Sequence, residues 1–550
     1  MMNIALLTNI NLEFVSRQLN NDKDISLYTP EGYGNWFQPL MDTESFINGE
    51  NTEAVFIILD TQELLRGQKS FEEAQSEIEN IMNIFRNFLS IEKNRKVFIS
   101  TSHIKNDRIC ALKDSGEDIL LENIWNERLL KINRDFDNAF IFPLNEMIQK
   151  MGADEFYSDK MWYLGGIKYS IKAQNKIVSE FKRIKKSLLK KRKKCLILDL
   201  DNTLWGGIIG EDGIDGIELS EFKEGARYKD FQKRIKEIKE LGILLAICSK
   251  NNYEDAIEVI KNHPHMVLKE KDFVAVKINW NHKVDNISEI ASDLNIGIDS
   301  LVFIDDNPVE RESVRDLIPE VTVPEFPKDT SELTKFIKNI YEEHFYTVDF
   351  TKEDRKKTEM YRQNSLRARE KSSVGSLDVF LKGLQTEIAI SELKNEDIKR
   401  AAELTQKTNQ FNLTTKRYTE EQMRFFLNSN EYRVYIASVK DKYGDNGKVG
   451  LLIVKLEADI AYIDSFIMSC RVMGRYIEDQ IIEYVESELI KEGIKNIKSE
   501  FIPTKKNAPV SQLYERLGYS VEDENDNYKK YSILVENVPE RKKYGKLVII

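Results

Sequence analysis

Short apolar runs alternate with amphipathic stretches over the first third of the chain. The runs Ile4–Leu7, Val55–Leu59 and Lys96–Ser100 are typical of buried strands, and Phe71–Phe88 has the spacing of an amphipathic helix. Strands that alternate with helices predict a parallel sheet covered by helices. We therefore expect an α/β domain over residues 1–185.

The same alternation returns after Cys195 and then changes. Strand-like runs CLILDL, ILLAICS, FVAVKI and SLVFID, separated by helical patterns, predict a doubly wound sheet over residues 193–335. A polar stretch rich in Lys, Glu, Arg and Gln predicts a helical connector over residues 336–385. From 386 to 550 the runs RVYIASV, VGLLIVKL and AYIDSFIM, the first two joined by the turn DKYGDNG, predict a hairpin within a mixed sheet. The fold class is α/β, with three α/β domains.

Composition and charge exclude several classes of protein. The 550 residues exceed what one hydrophobic core holds, and a net charge of −11 argues against a broad nucleic-acid surface. The basic stretch Lys182–Lys194 is interpreted as a solvated linker or helix face rather than a nucleic-acid patch. The first apolar run is too short, and lacks the charged leader, for a signal peptide, and no stretch approaches the roughly 20 apolar residues of a membrane span. We expect a cytoplasmic protein that binds neither membrane nor nucleic acid.

Cysteine and histidine are scarce. The four cysteines have neither the spacing of metal ligands nor that of a disulfide framework, so we expect reduced thiols. With only five histidines, a His-centred zinc site or a Ser-His-Asp hydrolase is hard to build. We therefore expect carboxylates, and not cysteine or histidine side chains, to form the centre of the active site.

Two carboxylates follow the first strand of the second domain. In CLILDLDNTLW, Asp199 and Asp201 follow the apolar run, and Thr203, a candidate for substrate binding, comes two residues after Asp201. Ligands of open α/β sheets bind beyond the carboxyl ends of the strands, so both carboxylates are expected at one crevice. An anionic nucleophile and an anionic phosphate repel each other unless a hard divalent cation bridges them. We expect Asp199 to attack phosphorus, and Asp201 to protonate the leaving oxygen and then deprotonate water.

Later strand ends supply the rest of the set. ILLAICS ends in Ser249, whose hydroxyl and backbone N–H are suited to phosphate oxygens, and Lys250 and Asn251 follow as further substrate-binding candidates. Lys283 is expected to offset negative charge, and SLVFIDD ends in Asp305 and Asp306. We expect Mg²⁺ as cofactor. Its expected ligands are Asp199, Asp201, Asp305 and Asp306. For Asp306 a simple role as a turn former before Asn307-Pro308 stays open.

These four elements, in this order, resemble the motifs of the haloacid-dehalogenase (HAD) superfamily of phosphoryl-transfer enzymes. DxDxT alone is a weak signal, but Ser, Lys and paired Asp residues, each after its own strand, make a chance match improbable. The segments between the motifs are short, which predicts a capless site. A capless site suggests a large or carrier-borne substrate.

Longer motifs resemble the FkbH-like proteins, subfamily IIIC of that superfamily. The matching segments are LDLDNTLWGGIIGEDGIDGIELS, SKNN, FIDDNPVERESVR, TNQFNLTTKRY and SCRVMGR. The resemblance implies removal of phosphate from a three-carbon group derived from 1,3-bisphosphoglycerate and loading of a glyceryl unit onto an acyl carrier protein through its phosphopantetheine arm. A phosphatase that acts alone on another phosphorylated metabolite stays open as an alternative. A third possibility, an assembly protein with vestigial catalytic residues, conflicts with the complete acid, base, cation and metal set.

The last segment resembles N-acetyltransferase-like (GNAT) domains. That fold binds the pyrophosphate of coenzyme A at an R-x-x-G-x-G/A turn, to which Arg471 and Gly474 correspond, but Tyr476 stands where a small residue is expected. NAPVSQLYERLGY matches a second pattern of the fold, which implies a substrate-binding role for Asn507 and Tyr514. For Tyr514, packing within a helix stripe is an equally good interpretation.

Cys470 precedes this turn, beside Arg471 and a helix N-terminus, both of which lower the pKa of a thiol. Cys470 is therefore a candidate acceptor of the glyceryl group, although a small buried hydrophobic role fits equally well.

The first domain resembles degenerate SGNH-hydrolase-like domains. Leu7-Thr8-Asn9 replaces the nucleophile turn, and Asp159-Lys160-Met161-Trp162 lacks the histidine of the Asp-x-x-His element. We do not expect an esterase.

Overall fold

The chain forms two compact units in a computed structural model. One unit comprises residues 1–192 and 342–349, and the other residues 193–341 and 350–550. Residues 342–349, which the sequence analysis assigns to a connector, thus pack with the first unit, where Glu342 Oε2 lies 3.1 Å from Arg183 Nη2. The structure describes residues 2–32, 34–42, 52–91, 95–105, 109, 116–189, 192–294, 296–350, 361, 363–364, 367, 370, 374–504 and 506–549.

The first unit is built on a five-stranded parallel sheet in the order β2-β1-β3-β4-β5. Its strands are β1 Met2–Thr8, β2 Ile25–Tyr28, β3 Ala54–Ile58, β4 Lys96–Ser100 and β5 Ala139–Phe142. Its helices are α1 Glu13–Asn20, α2 Gln38–Met41, α3 Thr61–Leu64, α4 Phe71–Ile91, α5 Glu117–Asp135, α6 Leu144–Met151, α7 Ala153–Phe156, α8 Asp159–Gly165 and α9 Ile171–Leu188. The expected parallel α/β sheet is confirmed.

The apolar pattern explains this sheet. Every residue of β3 is buried, as expected for a parallel strand covered by helices on both faces. On α4, Ile78, Ile81, Met82 and Phe85 recur at three- and four-residue spacing and form the buried stripe.

The second unit begins with a four-stranded parallel sheet in the order β8-β7-β6-β9. Its strands are β6 Cys195–Leu198, β7 Leu244–Ser249, β8 Phe273–Ile278 and β9 Leu301–Ile304. Its helices are α10 Ile209–Asp212, α11 Lys223–Glu240, α12 Tyr253–Asn262, α13 Lys283–Asp293, α14 Pro308–Leu317 and α15 Leu333–Ile340. Residues 199–243 hold α10 and α11 but no inserted domain, which agrees with the capless site expected from the segment lengths.

An eight-stranded mixed sheet follows, in the order β15-β16-β14-β13-β12-β11-β10-β17. Its strands are β10 Glu387–Glu392, β11 Tyr432–Asp441, β12 Gly444–Glu457, β13 Ile460–Met468, β14 Asn496–Phe501, β15 Ser520–Asn525, β16 Tyr528–Leu534 and β17 Lys546–Ile549. Its helices are α16 Leu377–Gly383, α17 Ile398–Lys407, α18 Glu420–Asn428, α19 Ile477–Lys491 and α20 Leu513–Arg516. The expected hairpin is confirmed, because β11 and β12 pair antiparallel across Lys442 and Tyr443.

No helix in the described part of the chain is both long enough and apolar enough to cross a bilayer.

A buried ion pair holds Arg541, in the segment between β16 and β17, against helix α19. Arg541 contacts the Glu486 carboxylate with both of its Nη atoms, and the side chains of the two residues are 4% and 1% exposed. Tyr519 Oη also donates to Glu486, at 2.7 Å. Replacing Arg541 with Met leaves a buried carboxylate without its cation, so we expect a loss of about 3–5 kcal/mol in the free energy of unfolding. Urea denaturation measures this loss.

The control is Lys543→Met, which removes an exposed ion pair to Glu483 and should change stability by less than about 1 kcal/mol. Equal losses for both variants would contradict a special contribution of the buried pair.

Candidate active site

The carboxyl ends of three adjacent strands place the candidate side chains at one edge of the four-stranded sheet. Leu198, the last residue of β6, pairs with Ile247 of β7 and Ile304 of β9. Asp199 and Asp305 therefore leave the sheet side by side, with Ser249 at the end of β7. Because parallel strands end at the same edge, the side chains that follow them converge.

Three carboxylates form a cluster at this edge. Asp199, Asp305 and Asp306 each offer an oxygen, and these oxygens lie within 4.8 Å of one another. Asp199 and Asp305 are buried. Carboxylate oxygens that converge in this way are the ligands preferred by hard divalent cations. The residues present therefore fit a divalent metal ion.

The ammonium group of Lys283 faces the cluster. Lys283 Nζ lies 2.5 Å from Asp305 Oδ2 and 3.0 Å from Asp199 Oδ1, and its side chain is 4% exposed. Lys283 is the first residue of α13, so the turn between β8 and α13 delivers its ammonium group to the neighbouring strand ends. The ammonium group offsets part of the negative charge of the three carboxylates.

Burial shapes the protonation of the cluster. Burial, followed by the charge of Asp199, raises the pKa of Asp305, and the same two causes raise the pKa of Asp306 to about 6. The two neighbouring carboxylates hold the pKa of Lys283 above its usual value, although burial alone would lower it. The site therefore favours a charged ammonium and resists the accumulation of negative charge unless a further cation is bound.

Hydrogen bonds fix the loop that carries Asp306. Thr203 Oγ1 donates to Asp306 Oδ1 at 3.3 Å and accepts from the Asp306 backbone N–H at 3.2 Å. Arg311 donates from Nη1 to the carbonyl oxygens of Asp305 and Asp306, at 2.9 and 2.6 Å. Thr203, expected to bind substrate, thus positions a cluster carboxylate, and Arg311, for which the sequence predicts no role, holds the same loop.

The Asp201 carboxylate does not belong to the cluster of Asp199, Asp305 and Asp306, and its expected role as a metal ligand stays a prediction. Its Oδ1 accepts from Trp205 Nε1 at 2.9 Å and from the Ile209 backbone N–H at 3.1 Å. Its Oδ2 accepts from Asn251 Nδ2 at 2.8 Å. Oδ1 therefore has both lone-pair directions used, whereas Oδ2 keeps one. Oδ2 is the oxygen from which a proton can be given or taken.

Asn251, expected among the substrate-binding residues, holds this acid–base candidate in place. Burial raises the pKa of Asp201, as suits a group that must carry a proton during turnover. Trp205, which is fully buried, donates to the other oxygen and is not among the residues predicted from the sequence. Its position four residues after Asp201, within the same motif, is the signal that could have revealed it.

Replacing Asn251 with Ala is expected to lower kcat roughly tenfold to a hundredfold and to leave KM nearly unchanged, because Asp201 loses orientation while the phosphate contacts remain. Steady-state kinetics with an alkyl phosphate measures the effect. Asn252→Ala, at the exposed neighbouring position, serves as the matched control. A rise in KM without loss of kcat would instead assign Asn251 to substrate binding.

The remaining residues of this edge have mixed environments. Ser249 is buried, and its carbonyl accepts from the Asn279 backbone N–H at 3.1 Å. Lys250 Nζ is paired with Glu310 Oε1 at 2.6 Å, so its charge is already matched within the protein. Ser249 stays a candidate phosphate ligand by its position.

In the last sheet, the turn before α19 differs from an open anion site. Gly474 has a φ of 73°, and Tyr476, at the helix N-cap, also adopts a left-handed conformation, with a φ of 55°. The first turn of the helix carries Glu478 and Asp479, both buried and both paired with Arg516. The N-terminus of a helix favours an anion because of the helix dipole. Here the carboxylates of Glu478 and Asp479 already supply negative charge at that end. Cys470 opens the short 3₁₀ turn that precedes Gly474, and its side chain lies outside the described residues.

The parallel strands β13 and β14 separate beyond Ile463 and Ser499, and the chain itself fills the notch between them. The Met468 backbone N–H donates to the Phe411 carbonyl, and the Leu413 N–H donates to Phe466. On the far side of this segment, the Ile502 N–H donates to the Leu413 carbonyl, at 2.8 Å. Residues 411–413 therefore occupy backbone groups of Phe466 and Met468 on β13 and of Ile502, the residue after β14.

Asn507 and Tyr514, both expected to bind substrate, lie inside this domain. Asn507 is fully buried and donates to the carbonyls of Asn412 and Ile502, at 3.0 and 2.9 Å. Tyr514 is 1% exposed and packs against the rings of Tyr519 and Tyr531. Both residues occupy structural positions in the interior.

Comparison with solved structures adds to this geometry. The chain is similar to the N-terminal part, containing a phosphatase domain, of a Bacteroides fragilis protein solved in complex with Mg, at 30% identity and a TM-score of 0.57. The match covers 64% of this chain and 95% of that one. The chain belongs to the same family as this phosphatase-domain protein. The family relationship rests on this solved structure. No family model and no curated protein matches the sequence.

Two acetyltransferase structures match a smaller part of the chain. They are the ribosomal-protein-S18-alanine N-acetyltransferase of Escherichia coli and a spermidine N-acetyltransferase variant of Vibrio cholerae, each at 16% identity and a TM-score of 0.22. The matches cover 28% and 27% of this phosphatase-family chain, and 99% and 94% of the respective acetyltransferases.

Proposed function

We propose that this chain is a Mg²⁺-dependent HAD-type phosphatase and acyltransferase of the FkbH-like kind. It removes phosphate from a three-carbon group derived from 1,3-bisphosphoglycerate and loads the glyceryl unit onto an acyl carrier protein. The observation that carries the proposal is the cluster of Asp199, Asp305 and Asp306 with Lys283 at the sheet edge. The Mg that accompanies the phosphatase domain of the Bacteroides fragilis protein supports the choice of ion.

Asp199, Asp305 and Asp306 would hold the Mg²⁺ ion, which supplies positive charge against the phosphate oxygens. A carboxylate oxygen of Asp199 attacks phosphorus and forms an aspartyl phosphate, while the bond from phosphorus to the substrate oxygen breaks. Asp201 gives its Oδ2 proton to that oxygen, so the alcohol leaves uncharged. Asp201 then takes a proton from water as the water attacks the aspartyl phosphate, which releases phosphate and restores Asp199.

The acyl transfer needs a thiol. A thiolate attacks the acyl carbon of the acyl phosphate, the carbon–oxygen bond to phosphate breaks, and a thioester and inorganic phosphate result. In our proposal the carrier's pantetheine thiol is the final acceptor, and Cys470 is the candidate intermediate acceptor.

Mass spectrometry of a holo carrier protein tests this proposal. After incubation with the enzyme, Mg²⁺ and 1,3-bisphosphoglycerate, the carrier should gain the mass of one glyceryl group. Cys470→Ala should abolish loading if the acyl group passes through that thiol. A carrier that stays unmodified at saturating substrate would contradict the loading reaction.

A stand-alone phosphatase is the second candidate, and the filled notch between β13 and β14 favours it. Residues 411–413 already bond to backbone groups of β13 and of Ile502. A phosphopantetheine arm laid between β13 and β14 would need these same groups. Phosphate release at the same rate with and without carrier, together with an unmodified carrier, would support this alternative.

A further inference from the structure

The motif TNQFNLTTKRY, residues 408–418, forms most of the wall of a cavity beside the notch between β13 and β14. The volume of this cavity is about 430 Å³, within the range of small-molecule sites. Every residue that lines it carries a hydroxyl, an amide or a cationic group, and these residues are Thr408, Asn409, Asn412, Thr415, Arg417, Thr504 and Lys506. Neither a carboxylate nor a large apolar side chain lines it among the described residues. Hydrogen bonds and charge, rather than burial of apolar surface, would therefore hold a ligand here.

Two cations of this wall, Arg417 and Lys506, form no ion pair with any residue that the structure describes. Arg417 donates from Nη1 to the carbonyl oxygens of Thr405 and Gln406, and from Nη2 to Asn409 Oδ1 at 2.7 Å. All three acceptors are neutral, and they fix the guanidinium group at the end of α17. A fixed guanidinium group without a carboxylate partner suits an anionic ligand, because its planar edge matches carboxylate and phosphate oxygens.

The loop that carries Arg417 contains a strained residue. Thr415 adopts a left-handed φ of 56°, which β-branched residues rarely do. Asn412, which is fully buried, fixes this turn, since its Oδ1 accepts from the Thr415 backbone N–H at 2.8 Å. Its Nδ2 donates to the Thr408 carbonyl oxygen at 3.4 Å, so one amide joins two parts of the wall. Glycine would adopt this φ without strain, and backbone strain is concentrated at ligand sites, so the threonine points to a use for its hydroxyl group.

The cavity also adjoins the segment that carries the candidate acceptor thiol. Thr408 and Lys506 line both this cavity and a larger neighbouring one. Ser469 and Arg471, which flank Cys470 in the sequence, line the larger cavity as well. A ligand bound to the motif 408–418 would therefore lie next to a space that leads to this segment.

We propose that the cavity binds a small hydroxylated anion, the phosphorylated three-carbon acid that supplies the acyl group. The threonine and asparagine side chains bind its hydroxyl group, and Arg417 and Lys506 bind its anionic groups. The site for a hydroxylated anion stands on the cavity alone, whereas the role of this ligand as acyl donor rests on the proposed function.

Calorimetric titration of the full-length protein with 3-phosphoglycerate, a stable relative of the acyl phosphate, tests the site. The protein carries Asp199→Asn and the buffer contains EDTA, so that the phosphoryl-transfer site neither turns over nor binds metal. The compound 3-phosphonooxypropanoate, which lacks only the 2-hydroxyl group, should bind roughly tenfold more weakly, because buried partners of the hydroxyl lose a hydrogen bond. Arg417→Gln should weaken the binding of 3-phosphoglycerate roughly tenfold or more, since charge-assisted hydrogen bonds are strong.

The matched control is Arg424→Gln, which changes an exposed arginine of α18 outside the cavity and should leave the affinity unchanged. Should Arg417→Gln lower the melting temperature markedly, Thr415→Gly and Lys506→Gln take its place. Glycine suits the left-handed φ at 415, so this variant removes a hydroxyl group without straining the loop. Each of the two should weaken binding severalfold. Absence of binding, equal affinity for the two compounds, or an affinity unchanged in every cavity variant overturns the site.

Carrier loading distinguishes failure of the cavity from failure of the proposed function. With Asp199 intact, Thr415→Gly and Lys506→Gln should raise the KM for 1,3-bisphosphoglycerate in carrier loading and leave phosphate release from an alkyl phosphate unchanged. Loading by the wild type with the same KM in both variants would overturn the cavity as donor site and leave the proposed function standing. Binding of 3-phosphoglycerate that depends on Arg417, without any loading by the wild type, would support the anion site and contradict the loading reaction.

Discussion

Replacing Asp199 with Asn should lower the rate of phosphate release on the order of 10⁴-fold or more, because the amide cannot form the aspartyl phosphate. Asp199 follows β6 directly and lies beside Asp305, so no other carboxylate of the cluster occupies the same strand end. Release of inorganic phosphate from a series of phosphomonoesters, with Mg²⁺ present, measures the loss. EDTA should reduce the wild-type rate to a similar degree.

Asp230→Asn is the matched control, since Asp230 is an exposed carboxylate of α11 whose partner, Lys233, is also exposed. The control should keep the wild-type rate. Full activity in the Asp199 variant, or turnover that EDTA leaves untouched, would remove the phosphoryl-transfer function altogether.

The regular elements could be predicted because burial imposes periodicity on the sequence. The fully apolar β6 and β9 are recognisable as covered parallel strands, and the residues after them meet at the sheet edge as a matter of topology. The positions of Asp199, Ser249 and Asp305 at one edge follow from this rule.

The place of Asp201 could not be predicted in the same way. A strand would set residues two apart on the same face, but β6 ends at Leu198 and Asn202 adopts a left-handed φ of 53°. The chain turns there, and Asp201 meets donors from Trp205 and Asn251 instead of the cluster. Such contacts depend on loop conformation and on residues 50 positions apart, which no local pattern encodes.

The mixed sheet shows a similar limit. The hairpin and the helix–strand order were readable from sequence, whereas the insertion of residues 411–413 between β13 and β14 depends on a loop that carries no strand periodicity. Asn507 matches the acetyltransferase-like motif NAPVSQLYERLGY, but in the structure its side chain donates to the Asn412 carbonyl and so stabilises that loop. Motif matches located the region but not the direction in which its side chains point.

Replacing Lys283 with Met should affect activity and stability in different ways. The ammonium group lies against Asp199 and Asp305, so its loss should slow phosphoryl transfer roughly 10²- to 10³-fold, as for other removed charge-stabilising groups. Without metal, the buried carboxylates lose their cation, and we expect a loss of about 3–5 kcal/mol in the free energy of unfolding. Phosphate release and the melting temperature in EDTA measure the two effects.

Magnesium should distinguish this effect of Lys283 from a simple packing defect. In the Met variant a bound divalent ion is the remaining cation at the cluster, so Mg²⁺ should raise the melting temperature of the variant more than that of the wild type. The control Lys233→Met removes an exposed ammonium from α11 and should leave the Mg²⁺ response unchanged. An equal shift with Mg²⁺ in the wild type and the Lys283 variant would show that the ammonium and the metal ion do not act on the same carboxylates.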